Sequence, residues 1–259
     1  LHIRPLLSHY AACVRRSSST RNGIEPLVAG VSYEDAKVIA TAAQYIDDNP
    51  ETKPFPSLPF ADSWQYERLS KYHFTMWSLA DGYTDLQQVT YNDSTDLRNY
   101  PEKYKSQLNR LENASNASAI SRCAQLQFFG EFLHAFEDSY GHRDKNNVPI
   151  TINAGLGHAV YGHEPDKTYN GSYLGAYVAA IGDWNTREQR TLTMQEDVFN
   201  KMAKFSSNGP LVSWNDLKNF MAQWNKIEEE GNDAEKKREK FNGYLSQLSI
   251  TNKQGEKVT

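Results

Sequence analysis

Residues 119–141, AISRCAQLQFFGEFLHAFEDSYG, carry the strongest helical pattern in the chain. Apolar side chains recur there at intervals of three and four residues, as on the buried face of an amphipathic helix. A second segment, VSYEDAKVIATAAQYIDD (31–48), offers Ser32 as an N-cap, two acids in the first turn and an Ala-rich apolar stripe. Both segments predict helices that bury one face in a common core.

The rest of the chain is predicted to be mainly helical too. Four prolines make 50–60 a loop, and few segments alternate with the period of two expected of strands. The fold class expected is all-α, a single-domain helical bundle over residues 31–259. Residues 1–30 are set apart as a basic segment, rich in Ser and acid-free up to residue 24, that is either divergent or poorly ordered. Further helices are predicted over 62–80, near 102–112, near 171–182, over 192–205 and, broken around Gly231, over 213–248.

Composition excludes several function classes. The net charge is −4, so the whole molecule has no excess of positive charge with which to attract a polyanion. Two cysteines define no disulfide framework, and no run of eighteen apolar residues encodes a membrane span. No glycine-rich phosphate loop and no serine nucleophile elbow occurs. The chemistry must therefore be sought among the histidines and acids.

The helix predicted at 119–141 places His134, Asp138 and the following His142 at a strict four-residue interval. Residues at positions i, i+4 and i+8 share one stripe of a helix, so the three side chains are expected to point the same way. Imidazole nitrogen and carboxylate oxygen are zinc ligands, and a carboxylate can bridge two ions. The alternative is a buried, hydrogen-bonded core histidine. Three metal-competent residues in register leave the metal site and the core histidine as two open interpretations.

More candidate ligands stand elsewhere. The segment AGLGHAVYGHEPD (154–166) brings His158, His163 and Asp166 together, with glycines that permit close approach. Asp47 ends the predicted helix at 31–48, where an acid is poorly placed for the helix dipole. His73 lies in an aromatic-rich helical segment.

The order of these motifs resembles that of the superfamily of zinc-dependent bacterial phospholipases C and fungal single-strand-specific nucleases. The matching pieces are Tyr45-Ile46-Asp47, then His73-Phe74, then His134 and Asp138, and finally the later histidines. The forms HxxxDSxxH and GHxxxGHxPD are closest to less characterised bacterial relatives. The resemblance covers roughly residues 30–170 and implies an all-helical bundle around a multinuclear zinc site of two or three Zn²⁺ ions.

The resemblance also implies which residues bind metal. Asp47, His73, His134 and Asp138 would hold a first zinc, and His142, His158 and either His163 or Asp166 a second. Asp138 would bridge to a third ion, for which His9 or His2 is the candidate ligand. Asp47 and Asp138 would be the catalytic residues, with proton acceptance as an alternative role for Asp47 or Asp48.

The resemblance implies a zinc-dependent phosphodiester hydrolase that uses metal-activated water. The acidic balance favours a phospholipase C-like enzyme, with transient contact with a membrane surface, over the alternative of a single-strand nuclease. The basic residues near the motifs are few: Lys71, Arg143, Lys145 and Lys167. Family resemblance places the protein outside the cell or in the cell envelope. A non-catalytic helical protein with a structural metal is the second alternative.

Overall fold

The computed structural model describes residues 28–49, 72–73, 102–141, 143, 167–173, 182–184, 187–226, 239–240, 243–244 and 246. The loop predicted at 50–60 lies outside the described residues, as do most of the helix predicted at 62–80 and most of residues 227–248. The described part of the chain is predominantly helical, which confirms the all-α prediction.

Three helices form the first part of the described bundle. Helix α1 spans Tyr33–Asp48, α2 spans Glu102–Ser115 and α3 spans Arg122–Gly141. The predicted cap of α1 is present, because the Ser32 Oγ accepts a hydrogen bond of 3.2 Å from the Asp35 backbone N–H. Between α2 and α3 lies a short connection, so these two helices pack as neighbours.

Helices α1 and α3 pack against each other and run in the same direction. The contacts between them advance along both helices together, from Arg122–Asp35 near their starts through Gly130–Ala43 to His134–Asp47 near their ends. Parallel neighbours need a long connection, and the chain from residue 49 to residue 121 supplies one that includes both His73 and α2. The ends of α1 and α3 therefore meet at one place in the molecule.

Two more helices complete the described bundle. Helix α4 (Arg187–Phe205) crosses α3 in the opposite direction, with the Phe205 ring stacked 3.9 Å from that of Phe129. Helix α5 (Trp214–Asn225) follows and is capped by Ser213. The shared core contains apolar side chains from all five helices and the short segment before α1, whose Val28 and Ala29 are fully buried. The packed region thus includes residues 28–30, at the end of the segment set apart as 1–30.

The helix predicted near 171–182 is wrong at both ends. Gly171–Tyr173 and Gly182–Trp184 are instead short strands, β1 and β2, which pair antiparallel with Ser172 opposite Asp183. Glycine at each of these ends is a poor helix former. The pairing depends on contacts between residues about ten apart, which local helix propensity does not report. This ribbon is the one exception to helix among the described elements.

Candidate metal centre

The centre is assembled where α1 and α3 end. Helix α3 presents His134 and Asp138 on one stripe, as the four-residue interval predicts. Helix α1 contributes Asp47 from its last turn, and His73 reaches the same place from the connection between the two helices. The buried α1–α3 interface therefore brings together residues that lie up to 91 positions apart in the sequence, from Asp47 to Asp138.

Four side-chain atoms converge there. The Nδ1 atom of His73 lies 3.3 Å from the Nε2 atom of His134 and 3.3 Å from the Oδ2 atom of Asp138. The His134 Nε2 lies 3.4 Å from the same Asp138 oxygen. The Oδ1 atom of Asp47 completes the group, at 3.8 Å from His73 Nδ1 and 3.7 Å from His134 Nε2.

Hydrogen bonding alone does not account for this arrangement. Each imidazole nitrogen carries either one proton or one lone pair, so it can make one good in-plane hydrogen bond. The Nδ1 of His73 and the Nε2 of His134 each face three polar atoms within 3.8 Å. A cation at the centre would satisfy all of these contacts at once.

The separations among His73, His134 and Asp138 fit one face of a tetrahedral metal site. Ligands about 2.0–2.1 Å from a tetrahedral centre are separated from one another by about 3.3–3.4 Å. Three of the five measured separations are 3.3, 3.3 and 3.4 Å, and the two that involve Asp47 are a few tenths of an ångström longer. The group Asp47, His73 and His134 could hold a metal ion. The Oδ2 atom of Asp138 lies 3.3 Å and 3.4 Å from the two imidazole nitrogens and is a further candidate ligand.

The electrostatics of the site favour a positive charge. Burial by itself lowers the pKa of His134, but the carboxylate of Asp138, through its charge and its hydrogen bond, raises it, helped by Asp47 and Glu137. The net result is a pKa of about 9. Without a metal, a proton is therefore drawn into the centre, and a divalent cation would take the place of that proton.

The two kinds of ligand differ in exposure. The side chains of His73 and His134 are 2% and 10% exposed, whereas those of Asp138 and Asp47 are 21% and 39% exposed. The imidazoles thus form the buried floor of the site and the carboxylates its outer edge. Structural zinc sites are closed, while catalytic sites keep a position open to solvent or substrate. In the described residues, the open edge lies on the Asp47 side.

The structure brings together four of the predicted ligands, Asp47, His73, His134 and Asp138. The residues assigned to the second and third ions, His142, His158, His163, Asp166, His9 and His2, lie outside the described residues. Their assignments stay predictions.

One of the few basic residues near the motifs is not available to a substrate. Arg143 is fully buried, and its Nε donates a 3.0 Å hydrogen bond to the Ser139 carbonyl. A cation near the end of a helix finds favourable carbonyls there, so Arg143 caps α3. Its position two residues after the helix was the available signal.

A second polar contact on α3 escaped prediction. The Tyr140 hydroxyl donates a 2.7 Å hydrogen bond to the Oδ2 of Asp197 on α4. Burial raises the pKa of the Asp197 carboxyl, and the Tyr140 hydroxyl partly offsets that rise. Tyr140 is two residues from Asp138, on the other side of the helix. The contact therefore fixes α3 against α4 without taking part in the centre.

The chain matches one protein family and no individual known protein. No curated protein and no solved structure matches the chain significantly. A protein family of unknown function, DUF6765, matches residues 26–258, which include every described element and all four residues of the centre. Because this match spans most of the chain, the protein belongs to the family DUF6765.

Proposed function

We propose that the protein is a zinc-dependent phosphodiester hydrolase of the phospholipase C type, with its first metal held by Asp47, His73, His134 and Asp138. The observation that supports the proposal best is the spacing of the ligand atoms of His73, His134 and Asp138, which lie about one tetrahedral edge apart. Two imidazoles and two carboxylates form a mixed nitrogen and oxygen site, which suits zinc.

The residues have distinct roles in this proposal. His73 and His134 hold the ion from the buried side and exclude water from it. Asp138 faces both imidazoles and orients them. Asp47, the most exposed ligand, lies where a substrate can reach the site and is placed to accept a proton there. When bound, zinc supplies an acidified water and positive charge to balance the phosphoryl oxygens.

An exposed edge argues against a purely structural metal. Structural zinc sites are typically closed and rich in cysteine, whereas the described ligand set contains no cysteine and its carboxylates reach solvent. Asp47 and Asp48 also end α1 with two acids in the last turn and no basic residue there. That placement costs helix stability, which is consistent with selection for a chemical role.

The choice of a lipid substrate rests on charge. A nuclease binds the phosphate backbone with a track of basic residues. Burial of Arg143 removes one of the few basic residues near the motifs. No helix among the described residues is long and apolar enough to span a membrane. In this proposal the protein contacts lipid at a membrane surface. We infer that the substrate is a phospholipid and that the protein acts outside the cell or in the cell envelope.

A substrate panel tests the function. Zinc-loaded protein would be assayed with bis(p-nitrophenyl) phosphate, phosphatidylcholine vesicles and single-stranded DNA, beside the variants Asp138→Ala and Cys123→Ser. Cys123 is an exposed free thiol on α3 outside the centre, so its variant controls for handling. We expect vesicle hydrolysis by the parent and by Cys123→Ser and none by Asp138→Ala. Preferential DNA cleavage would replace the lipid assignment by the nuclease one. Bound zinc without activity on any of the three would leave a structural metal.

A further inference from the structure

Gly130 occupies the closest approach between α1 and α3. A Cβ atom added to it would lie 2.5 Å from the Ile39 carbonyl oxygen and 2.7 Å from the Ala42 Cβ. It would also lie 3.1 Å from the Ala43 backbone nitrogen. The two helix backbones can thus approach this closely only because residue 130 has no side chain. Any larger residue there must push them apart.

The metal centre is built across this same interface. On α3, Gly130 is followed at four-residue intervals by His134 and Asp138. On α1, Ile39 is followed at the same interval by Ala43 and Asp47. Each set forms one stripe, and the two stripes face each other. The contact at Gly130 is therefore one turn of helix away from His134. Because the helices are rigid, the distance between α1 and α3 at Gly130 also sets the distance between the ligands on the two helices.

We propose that Gly130 is a positioning residue, which sets the distance between Asp47 on α1 and the two ligands on α3 and so sets the affinity for zinc. The inference rests on the proposed metal site but not on the proposed reaction. Gly130 has no ligand atom of its own and would act only through the spacing of the two helices.

The size of the effect follows from the distances. An added Cβ at residue 130 would lie 2.5 Å from the Ile39 carbonyl oxygen, and real Cβ atoms essentially never approach another atom to less than 3.0 Å. The helices must therefore separate by about 0.5 Å. Metal sites tolerate deviations of about 0.2 Å in ligand distance. Asp47 already stands farther from the imidazoles than Asp138 does. We expect Gly130→Ala to weaken zinc binding at least about tenfold, in the range of supporting-residue mutations.

A double-mutant cycle distinguishes positioning from general damage. Zinc affinity would be measured by competition with a chromophoric chelator for the parent, Gly130→Ala, Asp47→Ala and the double variant. If Gly130 acts through the placement of Asp47, the alanine at 130 weakens binding in the parent but not once Asp47 is gone. Equal losses in both backgrounds, or no loss in the parent, would overturn the proposal.

The controls keep the result interpretable. Gly141→Ala changes the last residue of α3, where an added Cβ meets nothing within 4 Å, and should leave affinity unchanged. If Gly130→Ala does not fold, Ala42→Gly is added to relieve the side-chain clash while the clash with the Ile39 oxygen remains, and the cycle is run in that background. Because the readout is affinity, an inactive but zinc-binding parent would sink the proposed hydrolysis and leave this inference standing.

Discussion

The Nδ1 atom of His73 lies 3.3 Å from the Oδ2 atom of Asp138, although 65 residues separate the two in the sequence. His73 is almost fully buried, and the same nitrogen also faces His134 and Asp47. This convergence joins α1, α3 and the connection between them at one point.

The exposure of the ligands predicts unequal effects when each is removed. Asp138 contacts both imidazoles at 3.3–3.4 Å, whereas Asp47 is more exposed and lies 3.7–3.8 Å from them. We expect His73→Ala and Asp138→Ala to weaken zinc binding by more than the roughly 10–100-fold that loss of a supporting residue costs. Asp47→Asn should weaken it less. Titration of each apoprotein against a chelator of known affinity measures the order, and an effect of Asp47→Asn as large as that of Asp138→Ala would contradict it.

The raised pKa of His134 predicts the pH dependence of the metal-free protein. Its pKa is 6.5 in an unfolded chain and about 9 in the fold. The proton is bound more tightly in the folded state, so the stabilisation is complete below about pH 6.5 and is lost as the pH rises through about 9. Urea unfolding with a chelator present should therefore show a falling free energy of unfolding between pH 6.5 and 9.

Zinc should reverse that trend, because it binds the deprotonated imidazole and competes with the proton. The stabilisation added by zinc is expected to grow over the same pH interval. His134→Gln removes the titrating group and serves as the control. With a chelator present, the free energy of unfolding of this variant should lose most of its pH dependence. If the parent and His134→Gln, both measured with a chelator present, show the same dependence of the free energy of unfolding on pH, His134 does not titrate as described.

The contact between Tyr140 and Asp197 predicts a loss of stability that is independent of metal. Tyr140→Phe removes a 2.7 Å hydrogen bond to a partly buried carboxylate, which should cost about 1.5–3 kcal/mol and raise the pKa of Asp197 further. Urea unfolding of the apoprotein at pH 7 measures the cost. Zinc affinity should be unchanged, since Tyr140 faces α4. A large loss of affinity in a folded Tyr140→Phe protein would mean that this contact supports the centre.

Local sequence patterns predicted the helices that carry the site. The periodicity of 119–141 gave α3, and the Ser32 cap with its following acids gave α1, because caps and amphipathic stripes involve residues only a few positions apart. The four-residue interval likewise placed His134 and Asp138 together. The meeting of His73 with them was expected from family resemblance alone, since no local pattern encodes a contact over 61 residues.

The structural features that the sequence did not predict share one physical cause. The β1–β2 ribbon, the burial of Arg143 and the close approach at Gly130 all depend on tertiary contacts. Glycine is generally unfavourable within a helix, and the value of Gly130 is visible only beside the Ile39 carbonyl. The sequence predicted which residues come together at the candidate centre better than which residues hold them in place.

Metal content tests the central claim most directly. The protein would be purified without chelator, incubated with zinc and desalted, and its zinc measured by inductively coupled plasma mass spectrometry beside Asp138→Ala and Gly141→Ala. We expect at least one equivalent of zinc in the parent and in Gly141→Ala, and two or three if the sites implied by the later histidines are also filled. Asp138→Ala should lose at least one equivalent. A parent that retains no zinc after this treatment would contradict the account and leave a helical protein whose buried histidines bind only a proton.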